Sequence, residues 1–392
     1  MKLDDLISDL HVRTAAIRRD IHAHPELAFG EWRTADIVAK KLQELGLEVH
    51  RGLAGTGVVG SLRAGSAERA VGLRADMDAL PLDELNAFAH RSTHAGQMHA
   101  CGHDGHTAML LGAAEALMAL RNEGRFDGTV HFIFQPAEEG DGGGRVMVEQ
   151  GLFEKFPMQA VFGLHNWPGL PAGQMAVMPG PVMAGTDRLE IVVTGRGGHA
   201  AMPHQAADTV VAGAALVQAL QTLVSRNTEP FEPAVLSVTR FHAGHADNVL
   251  PEEARLGGTV RTFTTAQQTL METGIRRICA GIAAAYGVTV EWVMERGYPP
   301  TVNSAAETAL CSAVAMQVLG SDKVRSDLRP SMGAEDFAYL LRERPGCYVW
   351  LGNGMGEGGC MLHSPHYDFN DELIPLGIRY WVALVEKLLP PA

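Results

Sequence analysis

The sequence predicts an α/β protein: a mixed, mostly parallel sheet with helices on both faces, interrupted by a smaller α+β unit. Three observations predict it. Strand and helix patterns alternate through residues 1–184, the order that builds a parallel sheet covered by helices. From 185 to 298 the order becomes strand, helix, strand, strand, helix, strand. From 299 to 392 the first texture returns. The expected organisation is one domain, 1–184 and 299–392, holding an inserted domain, 185–298.

The elements follow in chain order. Arg33 to Leu45 is amphipathic and can end at Gly46. Ala70 to Leu73 is a short apolar strand leading into Arg74-Ala-Asp76-Met-Asp78. Gly105 to Leu120 carries Ala, Leu and Met at helical spacing, and Thr129 to Phe134 is a β-rich run that stops at Pro136. In the insertion, Arg188 to Thr194 alternates like a half-buried strand, and Asp208 is placed to cap a helix running to Ser225. Ala234 to Phe241 and Ala254 to Phe263 are strands, Ala266 to Tyr286 is helical, and Val288 to Val293 is strand-like. That order is similar to a ferredoxin-like unit. A helix at Ser304 to Leu319, a strand at Cys347 to Leu351 and a helix at Pro375 to Leu389 complete the chain. In such sheets functional groups gather past the carboxyl ends of the strands.

Composition narrows the function. The 392 residues carry 32 Lys and Arg against 45 Asp and Glu, a net charge of −13. Phosphate contacts need clustered cations, so neither nucleic acid nor an anionic membrane is an expected partner. No apolar stretch is long enough to span a bilayer, and MKLDDLISDL has no signal-peptide core. The five cysteines, Cys101, Cys279, Cys311, Cys347 and Cys360, are odd in number and scattered. That argues against a disulfide framework and for the reducing cytoplasm.

The chemistry gathers in a few segments. His99-Ala-Cys101-Gly-His103-Asp-Gly-His106 offers a thiolate and imidazoles to a first-row metal. A zinc knuckle would need paired Cys-x-x-Cys elements, and only one cysteine stands here; incidental surface histidines are the other bland alternative. Phe132 to Gly140 runs an apolar strand into Glu138 and Glu139, followed by Gly142, Gly143 and Gly144. Adjacent side chains on a regular strand point to opposite faces, but the Pro136 break and the glycines allow an irregular backbone that aims both at one site. One carboxylate can then bind metal while the other activates water; a solvated acidic turn is the plainer alternative. His165 follows a short apolar run, His363 and His366 lie near the C-terminus, and Asp76 could orient a ligating histidine.

These segments carry a strong resemblance. RADMDALPLDE (74–84), MHACGHDGHTAMLLGAA (98–114), FQPAEEG (134–140), GLHNWPGLPAG (163–173), GRGGHAAMPHQAADTV (195–210), DNVLPEEARLGGTVRTF (247–263), SMGAEDFAYL (331–340) and LHSPHYDFND (362–371) resemble the hippurate hydrolase and N-acyl-amino-acid amidohydrolase branch of the dinuclear metallo-aminoacylase and carboxypeptidase family. The resemblance covers nearly the whole chain, in order. It implies two divalent metal ions per subunit, zinc, manganese, cobalt or nickel, held by Cys101, His103, Glu139, His165 and His363. It makes Glu138 the general base and acid and Asp76 the carboxylate behind the ligands. In the wider family a His stands at position 74 and an Asp at position 101; here they are Arg74 and Cys101, as is typical of this branch. In the inserted lid and dimerisation domain, His199 matches a histidine that reaches an active site across a dimer interface to help bind the oxyanion. Asn248 and Arg261 match positions that hold the substrate's carboxylate. His204, His242 and His245 are expected to be structural or rim residues.

The implied activity is metal-dependent hydrolysis of the amide bond of N-acyl amino acids by a homodimer or homotetramer. Two rival activities are a metallo-dipeptidase or carboxypeptidase, and a non-catalytic metal- or peptide-binding protein. All six positions of ligands and base are filled, which argues against the last, and Arg74 with Cys101 favours acyl amino acids over dipeptides.

Overall fold

The computed structural model describes residues 3–355 and 361–391. In chain order, α1 (Leu3–Ala23) and α2 (Trp32–Glu44) precede β1 (Glu48–Leu53), β2 (Gly57–Ala64) and β3 (Ala70–Asp76). Then come α3 (His103–Leu120), β4 (Gly128–Gln135), α4 (Gly143–Glu149), α5 (Leu152–Lys155), β5 (Ala160–Pro168), β6 (Met175–Ala176) and β7 (Gly180–Met183). The next stretch holds β8 (Gly185–Thr194), β9 (Gly198–His199), α6 (Thr209–Thr222), β10 (Val235–Ala243), β11 (Val249–Leu250), β12 (Glu253–Thr262), α7 (Thr265–Tyr286) and β13 (Thr289–Arg296). The chain ends with β14 (Thr301–Asn303), α8 (Ala305–Leu319), β15 (Val324–Arg325), α9 (Phe337–Glu343), β16 (Gly346–Gly354) and α10 (Ile374–Leu388).

The chain forms two compact units. One comprises Met1–Val182, Val302–Arg329 and Asp336–Ala392, the other Met183–Thr301 and Pro330–Glu335. The first contains an eight-stranded sheet in the order β1-β2-β4-β3-β5-β16-β6-β15. Its centre, β4-β3-β5-β16, is parallel, whereas β1 and β2 form an antiparallel edge. Every residue of β3 is buried, which is why this strand reads as a continuous apolar run instead of alternating. The helix α3 is buried on nearly all sides, packed against α1, α10 and β3. A helix apolar all round has no solvent face to offer, so its start is held firmly at the carboxyl end of the sheet.

The second unit is a four-stranded antiparallel sheet in the order β10-β12-β8-β13 with α6 and α7, the strand order of a ferredoxin-like unit. Its helices begin where the sequence signals them. Asp208 accepts from the N–H groups of Val210 and Val211 at the start of α6, and Thr264 with Gln267 forms a capping box on α7. The helix starting at Asp208 ends earlier than Ser225, passing into a π-turn at Leu223–Asn227. Among the described residues no helix is long and apolar enough to cross a membrane. Cys101, Cys279, Cys311 and Cys347 are free thiols, and Cys360 lies outside the described residues.

Candidate metal centre

Adjacent parallel strands deliver the donors. β4, β3 and β5 lie side by side in that order. Glu138 and Glu139 follow β4, Asp76 ends β3, and His165 lies near the end of β5. Cys101 and His103 flank Gly102, whose φ is 103°. A Cβ at Gly102 would overlap the Asn166 side chain and the Tyr367 hydroxyl. Glycine is therefore what lets the chain turn between two donors and enter α3 at once.

The two glutamates are reconciled in the same way. β4 stops at Gln135, and Ala137 takes a φ of 55°, a left-handed conformation costing an alanine about 1–2 kcal/mol. That turn breaks the strand alternation, so the neighbouring carboxylates both enter one cluster with His103.

Among the described residues, the donor atoms of Cys101, His103 and His165 lie within 4.8 Å of one another, and so do those of Cys101, Glu139 and His363. The Cys101 sulfur is common to both sets. Cys101 Sγ is 3.4 Å from His165 Nε2. Glu139 Oε1 is 3.8 Å from His103 Nε2 and 3.2 Å from His363 Nε2. Donors bonded at 2.0–2.3 Å to one tetrahedral ion stand about 3.3–3.8 Å apart, so these separations are close to what shared cations need. His363 is the rim member, with a side chain 52% exposed and a φ of 64°.

The tautomers are fixed by partners that can only accept. His103 Nδ1 donates to the Asp78 carbonyl at 2.9 Å and faces Asp78 Oδ1 at 3.3 Å. His165 Nδ1 donates to the Asn166 carbonyl at 2.6 Å. Both Nε2 lone pairs are thereby turned into the cluster, as a ligand histidine requires. Among the described residues, His103 Nε2 and Glu139 Oε1 are nevertheless buried without a hydrogen-bond partner. Two orphaned acceptors facing each other in a dry site are what a cation would satisfy.

The electrostatics agree. Burial pushes the Cys101 thiol well above its usual range, and Glu139 and Glu138 add to this. Burial alone would lower His103, but Asp76, Asp78 and Glu139 outweigh it and raise its pKa to about 10, so positive charge is favoured at Nε2 and a bound cation would take the place of the proton there. Burial holds His165 well below its ordinary value, so it is a neutral donor. The residues present fit divalent cations: soft and borderline donors in a cage short of positive charge.

Asp76 differs from expectation. Its carboxylate accepts from His106 Nδ1 at 2.6 Å and from Arg74 Nη1 at 2.7 Å, and it stands 3.7 Å from His103 on the Nε2 side. Arg74 and Asp76 share a strand face two residues apart, so the guanidinium holds the carboxylate. The group that orients His103 is Asp78, which also accepts the Glu139 N–H at 2.9 Å on Oδ2. One carboxylate thus supports a donor of each set. Asp78 was visible inside the RADMD segment, but nothing in its spacing separated it from Asp76.

Arg74 organises a wider buried network. It donates to Gln135 Oε1 at 2.9 Å and to Asp336 Oδ1 at 3.0 Å. Asp336 Oδ2 accepts the Gly144 N–H at 2.7 Å, and the Asp336 N–H faces Glu138 Oε1 at 3.3 Å. Arg74 therefore braces the loop carrying Glu138.

The other expected residues belong to the second unit. His199 pairs with Val249 across β9 and β11, and Ala200 N donates to Asn248 O at 3.1 Å. His199 Nδ1 accepts from Ala201 N at 3.0 Å, which leaves its proton on exposed Nε2. Arg261 is not with them. β9 and β11 lie beyond the end of β12 where Glu253 pairs with Thr194, and Arg261 pairs with Thr186 at the other end. The eight residue steps from Glu253 to Arg261 span about 26 Å. Arg261 donates instead to Thr259 Oγ1 and Val260 O.

Comparison with known proteins places this arrangement. The chain is 41% identical to a hippurate hydrolase of Campylobacter jejuni over 99% of this chain and 100% of that protein. It is 37% identical to a thermostable carboxypeptidase of Saccharolobus solfataricus over 96% of this chain and 95% of that one. A crystal structure of a dinuclear metal-binding peptidase from Bacillus subtilis superposes with a TM-score of 0.86 at 34% identity, covering 98% of this chain and 100% of that one. Residues 72–387 match the profile of peptidase family M20/M25/M40. With its sheet, its sulfur-centred donor set and these relatives, the chain belongs to peptidase family M20/M25/M40.

Proposed function

We propose that the protein hydrolyses the amide bond of N-acyl amino acids, releasing a carboxylic acid and a free amino acid. The observation that carries this reading is Glu138, a carboxylate only 6% exposed and clustered with His103 and Glu139. It is absent from the two sets that share Cys101, and we assign it to proton transfer. The hippurate hydrolase relative supports the choice of bond and substrate class.

Cys101, His103, Glu139, His165 and His363 would hold two divalent cations, which would supply Lewis-acid polarisation of the scissile carbonyl and acidify a water. Thiolate and imidazole favour zinc, cobalt or nickel over manganese. Glu138 takes the proton of the attacking water on a carboxylate oxygen. It then delivers that proton to the leaving nitrogen, so that the amine departs neutral. His199 donates from Nε2 to the oxyanion. Asn248 and Arg261 hold the free carboxylate, the guanidinium by two parallel hydrogen bonds. Arg261 lies about 26 Å along the strand from the His199 end, so a substrate that uses all three draws on two copies of the chain. We therefore expect a homodimer or homotetramer, with residues 185–298 as its lid and dimerisation domain. A thiol at the centre accords with a reducing cytoplasm.

A peptide with a free carboxylate presents the same bond, and the carboxypeptidase relative favours this as the second reading. The deciding experiment measures hydrolysis of N-benzoyl, N-acetyl and indole-acyl amino acids beside dipeptides and C-terminally free peptides, with zinc, manganese, cobalt or nickel and a chelated control. Turnover of acyl amino acids that the chelator abolishes is the expected outcome. Preference for peptides would favour the second reading, and activity indifferent to chelation would end both.

A further inference from the structure

The turn that aims Glu138 has its own support. Ala137, immediately before it, is fully buried and left-handed, with a φ of 55°. A non-glycine residue stays there only when its surroundings hold it. The holder is Glu31, itself 0% exposed. Glu31 Oε1 accepts the N–H of Ala137 at 2.9 Å and that of Phe29 at 3.1 Å, and its Oε2 accepts the Thr56 hydroxyl at 2.6 Å. Phe29 is also left-handed, at 59°, so one carboxylate ties two residues that favour other conformations.

Glu31 stands at the N-cap of α2, the position from which a side-chain oxygen can accept the helix's first free N–H groups. Its side chain makes no cap hydrogen bond. Glu26 does that work, accepting from Arg33 N at 2.9 Å and Thr34 N at 2.8 Å. The Glu31 carboxylate is turned to the Glu138 loop instead. On the other side of Glu138, the Glu139 N–H is bound by Asp78. The peptides before and after the base are thus gripped by two different buried carboxylates, one of which also supports a metal donor.

We infer that Glu31 is a positioning residue for Glu138, holding the Ala137 peptide in the turn that brings the base to its place beside the Asp336 N–H. Among the described residues its hydrogen bonds go to no metal donor, and the inference rests on the role proposed for Glu138. It also explains why a buried acid is kept more than a hundred residues before the loop it serves.

The test uses the full-length, metal-loaded protein. Glu31→Ala is expected to lower kcat by about 10²-fold while KM for an N-benzoyl amino acid and metal stoichiometry stay at wild-type values. Glu31→Gln keeps an oxygen for the two N–H groups and should stay near wild type. Ala137→Gly, added to Glu31→Ala, should restore part of kcat, because glycine adopts the left-handed turn without a clamp. A crystal structure of Glu31→Ala should show Ala137 out of the left-handed region and Glu138 Oε1 parted from Asp336 N. Wild-type kcat in Glu31→Ala, an unchanged Ala137 φ, or a loss that Ala137→Gly does not relieve would each overturn the inference. Should Glu31→Ala not fold, Thr56→Val removes only the hydroxyl donated to Glu31. A lower kcat at constant KM supports the inference, and a wild-type kcat counts against it. If the wild type turns over no acyl amino acid, the proposed function fails by itself, and the crystal structures still decide the role of Glu31.

Discussion

Asp78→Asn should weaken both cation sites at once. Asp78 accepts the Glu139 N–H at 2.9 Å on Oδ2 and faces His103 Nδ1 at 3.3 Å on Oδ1. An asparagine has one oxygen for these two donors. Its best orientation keeps the shorter bond to Glu139 and turns an NH2 group toward the His103 N–H. His103 retains the Asp78 carbonyl at 2.9 Å, so the ring stays in place, but it loses the anion that makes it a better donor. Outer carboxylates of this kind are worth about 10- to 100-fold in metal affinity, or about 1.4–2.7 kcal/mol. His103 belongs to one donor set and Glu139 to the other, so both affinities should fall. The assay is titration of metal-free protein with zinc against a chromophoric chelator, repeated with cobalt to follow the thiolate absorption. Unchanged affinities at both sites would refute the argument that Asp78 supports the centre; loss at one site alone would show that only one of its two contacts matters.

Glu138→Gln should bind both metals and lose about 10²- to 10⁴-fold in kcat, measured as amide hydrolysis beside metal analysis; full activity would remove Glu138 from the mechanism. His22 concerns stability. Burial would lower its pKa, but hydrogen bonds to Asp104 and Glu84 raise it from 6.5 to about 9. A raised pKa gives stability that is complete below pH 6.5 and lost as the pH climbs through about 9, here about 3 kcal/mol. Urea unfolding of wild type and His22→Gln should show a difference that shrinks over that window, and a difference constant with pH would contradict it. Gly105→Ala should cost about 1–3 kcal/mol by overpacking, because the added methyl would meet the Phe369 ring; an unchanged melting temperature would show that the ring can move aside.

Much of the fold was legible because its elements carry local signals. Asp208 and Thr264 mark the starts of α6 and α7, Gly46 turns left-handed just past α2, and the order from β8 to β13 follows the alternation of the insertion. The helix α1 carries apolar residues on one stripe, with Leu6, Ile7, Leu10 and Ile21 buried. The signal was in the sequence but had no motif to draw the eye. The clustered thiol, imidazoles and carboxylates were legible because their residue types are unusual and their motifs distinctive. The supports were not. Asp78 and Asp76 are two residues apart, and only the tertiary position of Arg74 decides which of them serves His103. Glu31 and Asp336 meet the Glu138 loop from remote segments, and no local pattern encodes a contact across that distance. The remoteness of Arg261 from His199 depends likewise on strand register, which a motif search does not see.

The donors leave the chain at 101–103, 139, 165 and 363, and the whole second unit lies between the last two. A pair of ions that together gripped all of them would be a rivet through the polypeptide, closing one long stretch of chain that includes that unit as well as shorter ones. Because it binds only the folded arrangement, its free concentration is coupled to folding through RT ln(1 + [L]/Kd). Scarcity of metal would then cost the cell resistant protein as well as turnover, and starved molecules would be the first cleared by proteases.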